Sequence, residues 1–97
     1  MKIDRLKILA TEYQVEEVEQ IDKYSRLLGQ IEYVEQKIKI DKNIPENLKE
    51  ETLIHEILHG ILEKLGDNEL NEDEQKVHSI ASIMYQVLKD NNLISSF

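Results

Sequence analysis

Ninety-seven residues suffice for one hydrophobic core and leave little room for a second, so residues 1–97 read as a single domain. Hydrophobic residues make up 40% of the chain and charged residues 33%, a balance that argues against wholesale disorder. Acidic side chains outnumber basic ones 20 to 12, for a formal charge of −8, and no basic cluster offsets that field. Nucleic acid and acidic membrane surfaces are therefore disfavoured as partners.

The chain has no cysteine, which excludes disulfides and thiolate zinc sites; a metal here must use His, Asp or Glu. The first residues carry Lys2, Asp4, Arg5 and Lys7 with no apolar run behind them, and nothing approaches the roughly 20 apolar residues of a membrane span. The expected location is cytoplasmic. The oligomeric state is left open.

In chain order, Leu6, Ile8 and Ala10 alternate, whereas Val15 and Val18 fit a helical period. This spacing predicts a strand near 5–13 and a helical or irregular piece over 15–28, broken by Gly29. Ile31 and Tyr33, then Ile38 and Ile40, alternate in two runs, 30–34 and 37–41. The polar pair Glu35 and Gln36 between them predicts a hairpin. Pro45 suits the first turn of a helix. From Leu48 the apolar positions Leu53, Ile54, Ile57, Leu58, Ile61, Leu62 and Leu65 cover most of a helix circumference, which marks a largely buried helix over 45–65. Gly66 is its natural C-cap. Residues 67–71 read as a loop. Asn71 with Glu72, Asp73 and Glu74 reads as the start of a second core helix, 72–90, whose apolar face carries Val77, Ile80, Ala81, Met84, Val87 and Leu88. The expected architecture is α+β, a small, mostly antiparallel sheet packed on two core helices.

The buried helix contains His55-Glu56-Ile57-Leu58-His59, an H-E-x-x-H motif. Residues four apart lie one turn apart on the same helix face, so two imidazoles there can reach one zinc ion at about 2.0–2.1 Å. Glu56 sits beside that face, where its carboxylate can take a proton from a water activated by the metal. A catalytic zinc normally takes a third protein ligand. Glu74, one turn before Val77 on the apolar face of the next helix, is the candidate. It is equally placed to be the N3 member of a capping box with Asn71, and Glu72 and Asp73 can share either role. His78, one turn beyond Glu74, reads as a pocket-lining residue or an alternative ligand. All three histidines of the chain thus fall in one constellation. Tyr85 reads as a core-edge tyrosine, and the acidic run from Glu16 to Glu19 as a solvated face.

The run Thr52-Leu53-Ile54-His55-Glu56-Ile57-Leu58-His59-Gly60 resembles the active helix of zincin metallopeptidases. The run Glu74-Gln75-Lys76-Val77-His78-Ser79-Ile80-Ala81 resembles the E-x-x-A-N-x-F-A pattern of the ImmA/IrrE-type peptidases, whose short members are common in bacteriophages and mobile elements. The resemblance covers roughly residues 29 to 91. It implies a minimal zincin-like domain that hydrolyses peptide bonds in a protein or peptide substrate. It also implies Zn2+ as cofactor, His55, His59 and Glu74 as metal ligands, and Glu56 as general base. A strand before the active helix, residues 37–41, would line the cleft and pair with extended substrate. The pattern departs at Val77 and His78, which stand where Ala and Asn are expected. The competing reading is a non-catalytic, zinc-stabilised binding module in which His78 closes the metal site as a fourth ligand.

Overall fold

The computed structural model describes residues 1–22, 26–95 and 97. Among the described residues the fold is α+β, with a four-stranded mixed sheet and three helices. The strands are β1 (Arg5–Ile8), β2 (Thr11–Val18), β3 (Gly29–Glu32) and β4 (Lys37–Asp41). The helices are α1 (Glu46–Leu65), α2 (Asn68–Glu72) and α3 (Glu74–Asp90). The sheet order is β1-β2-β4-β3. Two antiparallel hairpins, β1 with β2 and β3 with β4, are joined by parallel pairing of β2 with β4.

The expected single strand at 5–13 is a hairpin instead. The chain turns at Leu9, whose φ is 53°, and returns as β2 through Val18, so Val15 and Val18 are strand residues and not helical ones. Their three-residue spacing mimics a helical period. The actual period is two: Tyr13 and Val15 are buried while Glu12 and Gln14 turn outward. Of the expected 15–28 piece, residues 23–25 lie outside the described residues. The second hairpin forms where expected, with a turn over 33–36 longer by two residues than the Glu35-Gln36 link, and Gln36 takes a positive φ of 56°.

Helix α1 is buried on two sides, as its near-continuous apolar circumference requires. Leu53 meets the sheet, where Ile8, Tyr13, Val15, Ile38 and Ile40 close one core. Ile54, Leu58 and Leu62 turn the other way, onto Val77 and Ala81 of α3. The result is three layers: sheet, α1, α3. At Gly60 the helix comes so close to the sheet that an added Cβ would lie 2.5 Å from Ile8 Cδ1 and 3.1 Å from Ile31 Cδ1. Gly66 takes the left-handed C-cap at φ 72°. The expected loop at 67–71 contains α2, capped by Asp67, whose side chain accepts from Leu70 N–H. Helix α3 starts two residues later than expected because Asp73, not Asn71, is its N-cap and accepts from Lys76 N–H. Glu74 is therefore the first helical residue, and the capping-box role considered for it with Asn71 does not arise.

The α1–α3 contact is fixed by a charged clamp. Tyr85 Oη donates to Glu50 Oε1 at 2.6 Å and Lys89 Nζ donates to the same oxygen at 2.9 Å. Burial alone would raise the Glu50 carboxyl, but those two donors outweigh it and hold it below its ordinary value. The same contact, after burial, pushes the Tyr85 phenol up. Because the folded Glu50 has the lower pKa, the unfolded chain takes up the proton first. The clamp's contribution is thus complete above about pH 4.5, the ordinary value, and is lost as pH falls through the folded value. Glu50→Gln is expected to cost about 1–3 kcal/mol at pH 7, with a smaller gap between wild type and variant at pH 3. Urea unfolding at both pH values measures this; an equal gap at both would show that the ionised form is not what stabilises the contact.

Candidate metal centre

His55 and His59 sit one turn apart on α1 because nothing interrupts the helix between them; Gly60, the one weak helix former nearby, is retained for its close approach to the sheet. Both rings are mostly buried, with side chains 16% and 12% exposed, and their centroids are 4.9 Å apart. Across from them α3 begins. Its first residue, Glu74, places Oε2 3.2 Å from His55 Nε2 and Oε1 2.6 Å from His59 Nε2. One ligating atom from each of the three residues lies within 4.8 Å of the others, the one such group among the described residues.

The chemistry of the donors bears on what belongs between them. His59 Nδ1 lies 2.5 Å from Asn71 Oδ1, an acceptor, so Nδ1 carries a proton and donates it. In the neutral ring Nε2 then presents a lone pair to a carboxylate oxygen, and two lone pairs hold that approach only with a cation between them, a proton or a metal. Two bonds of about 2.1 Å at a tetrahedral ion separate ligand atoms by roughly 3.4 Å. The observed spacings need to open by a few tenths of an ångström on average. Two imidazole nitrogens and a carboxylate are a donor set suited to zinc, so the residues present fit such an ion.

Glu56 faces away from that trio by one residue's rotation and is 7% exposed. Burial pushes its carboxyl up to about 7; the field of His59 opposes this, Glu74 adds to it, and the Ile31 backbone N–H, which donates to the carboxylate, lowers it. That N–H is available because β3 is an edge strand. Residues 37–41, expected to line the cleft, do not line it. β4 is paired on both sides, by β2 and β3, and has no free backbone edge. β3 has one, and it is β3 that lines the cleft. Gly29 brings β3 up against α1: an added Cβ there would meet Thr52 Cγ2 at 2.5 Å and the Glu56 side chain at 3.3 Å.

The cleft has a volume of about 510 Å³, and its lining includes Ile31, Tyr33, His55, Glu56, Glu74 and His78. His78 is exposed, with its ring centroid 5.9 Å from that of His55; it is not one of the three converging ligands. Two residues were not singled out from sequence for this site. Asn71, read there as a helix start, orients His59 from α2. Tyr33 donates from its hydroxyl to His59 O at 3.4 Å and accepts from Asn71 Nδ2 at 3.4 Å. No sequence signal marks either, because the contact depends on α2 folding back along α1.

No protein-family model matches the chain, and no curated protein or solved structure does so.

Proposed function

We propose that this chain is a zinc-dependent metallopeptidase of minimal zincin type, in which His55, His59 and Glu74 hold the metal and Glu56 is the general base. The observation that carries the reading is the convergence of three ligating atoms within 4.8 Å beside a buried carboxyl whose value lies near neutrality. A purely structural metal site has no use for that carboxyl.

Zinc held by these residues supplies Lewis-acid chemistry, polarising a carbonyl oxygen and bringing the deprotonation of water near neutral pH. The free edge of β3 offers backbone groups to an extended peptide, which places the scissile bond along the cleft. Glu56 takes a proton from the attacking water as its oxygen bonds to the carbonyl carbon, then delivers that proton to the amide nitrogen as the C–N bond breaks. A carboxyl near neutral pH suits both transfers, because general acid–base catalysis is most efficient close to the operating pH. His78, which lines the same cleft, would donate to the developing oxyanion.

The test is incubation of the zinc-loaded protein with a mixture of peptides, followed by sequencing of new termini. The reading predicts chelator-sensitive cleavage restored by zinc; a zinc-loaded protein that cleaves nothing across a broad peptide set contradicts it. Asn71 gives a second check. Asn71→Ala removes the acceptor that fixes the His59 tautomer and is expected to weaken zinc affinity roughly 10–100-fold, with Asn71→Asp retaining it. Competition against a chromophoric chelator reads this, and equal affinities in all three proteins would remove Asn71 from the site.

A further inference from the structure

Glu51, His55 and His59 form one row on α1, each a helical turn from the next, so Glu51 stands about 6 Å along the axis from the first proposed ligand. It lines the same cleft and is half-buried. Two other acids of this helix are engaged, Glu46 with Lys49 and Glu50 with Tyr85 and Lys89. Glu51 has no hydrogen bond or ion pair to any described residue, and Arg26, which also lines the cleft, is not paired with it. A half-buried carboxylate that lines a cleft and has no partner among the described residues is an acceptor that a ligand cation would satisfy.

The walls beside it are apolar. Leu27 and Leu28, on the segment entering β3, are 48% and 37% exposed, and with Leu48, one turn before Thr52, they line the cleft. Apolar walls ending at a carboxylate match a side chain with an aliphatic stem and a cationic tip. The chain's net charge of −8 adds a field that draws such a substrate in.

We infer that Glu51 is the specificity-determining residue of this cleft, selecting substrates with a positive charge on the residue next to the scissile bond, from a lysine or arginine side chain or a free amino terminus. The inference rests on the metallopeptidase reading. Its test is binding to the zinc-loaded protein, measured by calorimetry, of four single-residue hydroxamates: acetyl-leucyl, acetyl-lysyl, acetyl-glutamyl, and leucyl with a free amino group. The acetyl-lysyl probe is expected to bind at least about tenfold more tightly than acetyl-leucyl, and acetyl-glutamyl most weakly. A like preference for the free-amine leucyl probe would instead identify the amino terminus as the source of the charge. In Glu51→Gln the cationic and neutral probes should come within about twofold of each other at full zinc content. No preference for either cation, or a preference that survives Glu51→Gln, overturns the role of Glu51 and leaves the metal site standing. Failure of every hydroxamate to bind removes the metal cleft, and this inference with it.

Discussion

Glu56→Gln is expected to keep one zinc per chain and the native fold while lowering peptide turnover at least about 100-fold, the usual worth of a general base. The fold should survive because glutamine has the same shape and retains an oxygen to accept from the Ile31 N–H that now meets the carboxylate. The metal should remain because Glu56 is rotated about 100° around α1 from His55 and contributes none of the three converging atoms. Only the capacity to take a proton is lost. Zinc analysis, circular dichroism and turnover on one identified substrate together give the answer. Normal zinc with undiminished turnover would end the proposed mechanism.

The ligands should behave in the opposite way. His55→Ala or His59→Ala leaves two protein donors, and stoichiometric zinc should be lost from either variant. Glu74→Gln replaces a carboxylate by a much poorer neutral ligand and should weaken zinc at least about tenfold. Its fold should hold, because the Glu74 side chain is 68% exposed and no core contact depends on it. Zinc retained in Glu74→Gln and lost in Glu56→Gln would show that the two glutamates have exchanged roles. Equilibrium dialysis followed by metal analysis distinguishes these outcomes.

The helical half of the chain was the more legible. A 20-residue helix repeats its apolar pattern over more than five turns, so α1, its glycine cap and its two histidines could be placed from spacing alone. Glu74 was reachable by the same logic, because it precedes Val77 by one turn and Val77 is fully buried. The first hairpin was not. A strand of four residues followed by a turn at a leucine has none of the Gly or Asn that usually announces a reversal. Strand order was equally hidden. The parallel pairing of β2 with β4 joins segments separated in sequence by β3, and it decides that β3 carries the free edge over the cleft. Asn71 and Tyr33 acquire their places at His59 only through that tertiary arrangement.

In the proposed site three residues hold the metal and leave a position open for reaction. The most direct measurement is an anomalous-scattering crystal structure of the zinc-loaded protein, listing every atom within bonding distance of the ion. The expected ligands are His55 Nε2, His59 Nε2 and a Glu74 oxygen at about 2.0–2.2 Å, with the remaining position taken by solvent and Glu56 adjacent but unbonded. An ion closed by His78 as a fourth protein ligand, or an ion bound elsewhere on the chain, would contradict this arrangement.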